Sequence, residues 1–155
     1  MGYQAGRLLV AAGEAERARP LLKEVVQRKR GEFWAWEWLA RTYADDAPEH
    51  LACLCRAANC RVKEKHFLVN VLTALGSAAE RHGAPGEALA LLERAAHLRR
   101  ERGWPVPPAL QNGVERLRRA GHRPSSDLDA WRRRYAPAAD SLLVDSRASR
   151  QGETS

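Results

Sequence analysis

The fold is decided by residues 6–25, GRLLVAAGEAERARPLLKEV, because the chain repeats their pattern at residues 76–95, GSAAERHGAPGEALALLERA. The two stretches align without a gap at a separation of 70 residues (76 minus 6), and small and large side chains recur in step. The matched pairs are Gly6 and Gly76, Gly13 and Gly83, Ala18 and Ala88, and Leu22 and Leu92. Self-similarity of this kind predicts a chain built from one repeated supersecondary unit.

The repeated unit is predicted to be a helix hairpin. Ala, Leu, Arg and Glu are abundant in the chain, and all four residue types favour helix. Turn signals fall where the two helices of a pair should reverse: around Gly13, at residues 45–48 and at residues 82–86. We therefore expect an all-α protein, with helices over residues 3–12, 14–29, 33–44, 48–60, 66–82, 85–102, 108–120 and 126–135.

A further copy of the unit is expected between the two aligned stretches. Residues 33–44, FWAWEWLARTYA, place Trp36, Leu39, Ala40 and Tyr43 at the spacing W-x2-L-A-x2-Y. This spacing resembles the first helix of the tetratricopeptide repeat, W-x2-L-G-x2-Y, whose period of about 34 residues is roughly half the separation seen here. On these motifs the chain resembles the tetratricopeptide repeat family over residues 2–102.

The resemblance implies an α-solenoid of three antiparallel helix hairpins over residues 1–102. Gly103 to Pro108 cannot continue a helix, so residues 103–122 are expected to form a Pro-rich turn and a helix that caps the solenoid. Residues 123–155 are expected to form a basic tail, partly helical at first and disordered from residue 136 onward.

In the tetratricopeptide family the first helix of each repeat lines a concave groove that holds a partner peptide or helix. The family's groove positions fall here on Tyr3, Arg7, Trp34, Glu37, Arg41, Asp45, Asn70, Thr73, Ser77, Glu80 and Arg81, with Trp38 beside this row. Trp36, by contrast, falls on a core position of the repeat. Aromatic anchors beside arginines are frequent interface hot spots, and they suit an acidic, partly apolar peptide. The leading hypothesis is therefore a non-enzymatic scaffold that binds another protein.

Nucleic acid is the alternative partner. The net charge of the chain is +7, and residues 94–134 alone contain 11 arginines against four acidic residues. The arginines that could contact nucleic acid are Arg99, Arg100, Arg116, Arg119, Arg132 and Arg133. Trp104, Trp131 and Tyr135 lie among them, and rings between cations suit a single strand. The same arginines also suit the C-terminal ends of two predicted helices, where cations complement the helix dipole.

Other classes of function find little support in the sequence. The five histidines are dispersed, there is no Gly-rich phosphate loop, and we expect neither catalysis nor a cofactor nor a metal site. Cys53, Cys55 and Cys60 are expected to be buried free thiols. No apolar run is long enough to cross a membrane, which favours the cytoplasm. A third hypothesis is an accessory segment of a larger multidomain protein, and the oligomeric state stays open.

Overall fold

The computed structural model describes the backbone of residues 2–153 and the side chains of residues 2–144. Over the described backbone the chain forms eight α-helices and one short 3-10 helix, Lys65–Leu68, and it has no β-strand. The predicted all-α class is confirmed. The α-helices are α1 Gly2–Ala11, α2 Ala15–Arg28, α3 Phe33–Ala40, α4 Pro48–Ala58, α5 Val69–Arg81, α6 Pro85–Glu101, α7 Pro108–Arg119 and α8 Leu128–Glu153.

The chain divides into two compact units. The first unit contains the residues up to Cys60 together with those from Arg133 onward, and the second is Arg61–Arg132. In the first unit α1 packs against α2 and α3 packs against α4, while in the second α5 packs against α6, which also contacts α7. The division falls inside the stretch 1–102 that we expected to form one array of hairpins.

The turns of the first and third helix pairs have the same geometry. Gly13 and Gly83 have φ of +78° and +74°, the left-handed conformation that glycine adopts without a steric penalty. The N–H of Glu14 donates to the carbonyl of Leu9 at 2.8 Å, and the N–H of Ala84 donates to that of Ala79 at 2.9 Å. Each hydrogen bond spans five residues and closes a Schellman motif. The repeated glycines therefore end the first helix of each pair.

Helix α3 ends at Ala40, four residues before the predicted end. The N–H of Thr42 donates to the carbonyl of Leu39 at 3.0 Å, and the Thr42 hydroxyl donates to the same carbonyl at 2.7 Å. Arg19 reaches from α2 and hydrogen-bonds the Thr42 carbonyl. These donors occupy the Leu39 and Thr42 carbonyls, which would accept hydrogen bonds from the next turn of a continuing helix. The helix therefore ends and the chain turns.

The tail differs most from the prediction. Helix α8 runs from Leu128 to Glu153, so the expected disorder from residue 136 is wrong for the described backbone, and residues 154 and 155 lie outside it. Ala139 and Leu143 are fully buried, and Arg56 of α4 lies 3.3 Å from the Asp140 carboxylate. The burial of Ala139 and Leu143, together with this ion pair, outweighs the weak helix signal around Pro137.

The core agrees with the repeat pattern. Trp36 is fully buried, as predicted, and its indole N–H donates to the Arg30 carbonyl at 2.9 Å. The three cysteines are buried and form no disulfide, which confirms the expectation of free thiols. In the part of the chain that the structure covers, no helix combines the length and the apolar character needed to cross a membrane.

Candidate functional site

Six of the predicted groove residues lie together on one surface of the first unit. Helical spacing explains this: positions 3 and 7 are one turn apart on α1, and positions 34, 37, 38 and 41 follow one face of α3 and its C-cap. We call this surface the aromatic–arginine face. Its members are Tyr3, Arg7, Trp34, Glu37, Trp38 and Arg41.

The side chains of the aromatic–arginine face contact one another in an unbroken series. The Tyr3 and Trp34 rings lie 4.7 Å apart, centroid to centroid, and are inclined at 58°. The Arg7 guanidinium lies 5.3 Å from the Tyr3 centroid and 5.0 Å from the Trp38 centroid, so it bridges the two rings. Arg41 covers the same Trp38 ring at 4.1 Å. The series thus joins α1 to α3 through alternating rings and cations.

The series ends on an acidic side chain. Arg41 donates to the Glu37 carboxylate at 3.1 Å, one helical turn away. The Arg41 side chain is 47% exposed and that of Glu37 is 14% exposed. Each cation–π contact on such a surface contributes on the order of 0.5–1 kcal/mol. These contacts therefore hold the side chains of the face against one another, and the face presents half-buried rings next to exposed guanidinium groups.

Of the remaining predicted groove residues, Asp45 belongs to the first unit and the others belong to the second unit. Asn70, Thr73, Ser77 and Arg81 share one face of α5, since three or four residues separate each from the next. The Thr73 hydroxyl donates to the Val69 carbonyl within the helix at 2.8 Å. Two further positions differ from this row: Glu80 binds Arg116 of α7, and Asp45 lies in the turn before α4.

The six arginines predicted to contact nucleic acid are mostly engaged within the protein. Arg116 holds both carboxylate oxygens of Glu80, with one N–O distance of 2.8 Å. This hydrogen bond lowers the pKa of the Glu80 carboxyl below its ordinary value. The partners of the others are Asn70 for Arg99, Gln111 for Arg100, Glu115 for Arg119 and Asp129 for Arg132, while Arg133 lines a cavity of about 290 Å³ beside Arg56 and Asp140.

A second aromatic cluster lies in the second unit, and of its three rings the sequence pointed only to Trp104. The His66 ring lies 4.6 Å from the Phe67 ring and 5.4 Å from the Trp104 ring, both in edge-on geometry. Phe67 is 47% exposed and Trp104 is 40% exposed. The basic run of residues 61–67 and the Gly-Trp-Pro turn at 103–105 were its signals, but they are far apart in the chain.

Two buried titratable groups of the first unit, Cys53 and His50, have structural surroundings. Burial raises the pKa of the Cys53 thiol to about 12, so the nucleophilic thiolate is scarce near neutral pH. The buried His50 ring hydrogen-bonds the Ala40 carbonyl through Nδ1 at 2.8 Å, which is a structural role. Among the described side chains, no group of three or more His, Cys, Asp or Glu residues could hold a metal ion.

Comparison with known proteins changes the family assignment. The family model described as a domain of unknown function (DUF7017) matches residues 1–139. The predicted membership of the tetratricopeptide repeat family is therefore wrong. Small residues opposite leucines satisfy any closely packed helix pair, so the pattern does not single out that family. No curated protein and no solved structure matches the chain.

Proposed function

We propose, for this member of the DUF7017 family of domains of unknown function, that the aromatic–arginine face docks an acidic, partly apolar peptide or helix of another protein. The observation that carries the proposal is the unbroken series of ring and guanidinium contacts from Trp34 to Arg41. The proposal does not depend on the tetratricopeptide resemblance.

The composition of the face supports a protein partner. Trp, Tyr and Arg are the residues most enriched at interface hot spots, and this face contains two Trp, two Arg and one Tyr. To be specific, Trp34 and Trp38 are both half-buried, so their rings are held in place and still offer apolar area. Rings that are already positioned lose little conformational entropy when a partner binds.

The charges support an acidic partner. Arg7 and Arg41 are exposed, whereas Glu37, the one acidic member of the face, is mostly covered. A guanidinium stacked on rings keeps a planar set of N–H donors that fits a carboxylate. We therefore infer that the partner places an Asp or Glu against the arginines and an apolar side chain against the tryptophans.

The test is a peptide selection followed by titration. The wild-type chain is panned against a random peptide display library, and the enriched peptides are expected to combine acidic with apolar residues. Trp34→Ala and Arg41→Glu should each weaken the selected peptide by about tenfold or more. Arg94→Glu is the matched control, because Arg94 is an exposed arginine on α6 in the other unit. Circular dichroism verifies that each variant remains helical.

Two outcomes would overturn the proposal. One is enrichment of peptides without acidic residues. The other is equal weakening by Arg41→Glu and Arg94→Glu, which would mean that only the net charge matters.

Stacking of the helix pairs into a solenoid stays a prediction that small-angle X-ray scattering can test. The cytoplasmic location likewise stays a prediction, and fractionation of cells can test it.

A further inference from the structure

The second aromatic cluster is formed by two segments that the fold brings side by side. We call it the Phe67–Trp104 patch, and its members are Glu64, His66, Phe67, Arg102 and Trp104. His66 Nδ1 lies 3.0 Å from a Glu64 carboxylate oxygen, and Arg102 lies 3.8 Å from the same oxygen. The patch is distinct from the aromatic–arginine face, since it belongs entirely to the second unit.

Local structure fixes both exposed rings of the patch. Phe67 belongs to the 3-10 helix Lys65–Leu68, whose Leu68 is buried. Trp104 follows Gly103, which has φ of +71°, and its N–H donates to the Arg99 carbonyl at 2.8 Å. The Schellman motif that ends α6 thus places Trp104 beside His66. Two large rings exposed on either side of His66 form an apolar patch, and such patches often mark interaction sites.

Cationic residues flank both rings in the sequence, and the Arg102 guanidinium lies 5.7 Å from the Trp104 ring centroid. Segment 61–67 contains Arg61, Lys63 and Lys65 with one acidic residue, and segment 99–104 contains three arginines with one acidic residue. Both acidic residues are already paired: Glu64 with His66 and Arg102, and Glu101 with His97 at 2.8 Å. Lys63 and Lys65 are exposed. The excess of cationic residues in the two segments, next to exposed rings, suits an anion that also offers flat apolar faces.

We propose that the Phe67–Trp104 patch binds single-stranded nucleic acid, with bases stacked on the two exposed rings and phosphates held by the neighbouring lysines and arginines. Bases provide flat faces and phosphates provide negative charge at every nucleotide, so one ligand satisfies both features of the patch. A duplex hides its base faces and is excluded. An acidic peptide would satisfy the charges but would leave the exposed ring faces largely without a stacking partner.

The experiment measures fluorescence anisotropy of a labelled thymidylate oligonucleotide of about 12 nucleotides, a length within the usual site sizes. The wild-type chain should bind the single strand, and Trp104→Ala and Phe67→Ala should each weaken binding by about fivefold to a hundredfold. Trp104→Phe should retain most of the affinity, because it keeps a ring. Trp34→Ala is the matched control and should bind like the wild type. Raising salt from about 50 to 200 mM should weaken binding steeply.

Several results would overturn the proposal. The wild-type chain would fail to bind the oligonucleotide, or it would bind a duplex of the same length equally well. Alternatively, Trp104→Ala would bind the oligonucleotide like the wild type. Binding of polyglutamate but not of the oligonucleotide would show an acidic-peptide surface instead. Because Phe67 and Trp104 are exposed, their variants should fold, and circular dichroism checks this. The proposal is independent of the docking function, since Arg41→Glu should lose the selected peptide and retain the oligonucleotide.

Discussion

Leu22 occupies the space that a side chain on Gly6 would need: a Cβ added to Gly6 would lie 2.7 Å from the Leu22 Cγ. Leu92 stands in the same relation to Gly76, with its Cγ 2.8 Å from the added Cβ. Real Cβ atoms do not approach other atoms so closely. The first and third helix pairs therefore use one packing solution, and this is the structural meaning of the sequence repeat.

Gly6→Ala should destabilise the chain even though alanine favours helix. The strain of overpacking costs about 1–3 kcal/mol, and the helix propensity of alanine offsets on the order of 1 kcal/mol of it. We expect a net loss of up to about 2 kcal/mol in the free energy of unfolding, measured by urea denaturation. Gly76→Ala should behave in the same way.

The neighbour's identity provides the control. In a Leu22→Ala background, which itself costs about 2–5 kcal/mol, Gly6→Ala should become neutral or stabilising because the clash is gone. If Gly6→Ala costs the same amount in both backgrounds, close packing of Gly6 on Leu22 is not the reason for the glycine.

Gly83→Ala should destabilise through the backbone. Nothing lies within 4 Å of an added Cβ at Gly83, but its φ is +74°, where an L-residue pays about 1–2 kcal/mol. Gly31→Ala is the matched control, since Gly31 also has open space and lacks a positive φ. Thermal denaturation should show a lower Tm for Gly83→Ala alone. A similar Tm for both variants would argue against a left-handed conformation at Gly83.

Stability should fall above about pH 9. Burial is the main reason why the pKa of the Cys53 thiol rises from 9.0 to about 12, and why that of the Tyr43 hydroxyl rises from 10.0 to about 12. A group whose pKa is higher in the folded state contributes its full stabilisation below the unfolded pKa. This contribution is lost as pH rises through the folded pKa. Urea denaturation between pH 7 and pH 11 should show the fall, and Cys53→Ala should flatten it. A curve that stays level would contradict the burial of these groups.

The helix pairs could be predicted from sequence because small residues, large residues and turn glycines recur together at Gly6, Gly13 and Leu22. The aromatic–arginine face followed from helical spacing at Trp34, Trp38 and Arg41. The C-terminal part of α8 could not be predicted, because Pro137 weakens the helix signal and burial of Leu143 supplies what propensity lacks. Of the Phe67–Trp104 patch only Trp104 could be named from sequence, because tertiary structure alone joins its two segments.

The ion pair between Glu80 and Arg116 should contribute little to stability at neutral pH. Its side chains are 32% and 60% exposed, and solvent screens such pairs. Glu80→Gln should therefore cost less than about 1 kcal/mol. The hydrogen bond from Arg116 lowers the pKa of Glu80 in the folded state. The stabilisation by the pair is therefore present above the unfolded pKa and is lost as pH falls through the lower, folded pKa. Wild type and variant should converge in acid; a gap that widens there would be inconsistent with this pair.

The most direct test of the docking face is a charge swap between Arg41 and the peptide selected on the wild-type chain. Isothermal titration calorimetry should show that Arg41→Glu lowers the affinity for the acidic peptide by about tenfold or more. A peptide with lysine in place of the contacting acidic residue should regain affinity for this variant. If Arg41→Glu binds the original peptide like the wild type, or if no lysine-substituted peptide recovers affinity, then the aromatic–arginine face is not where the partner binds.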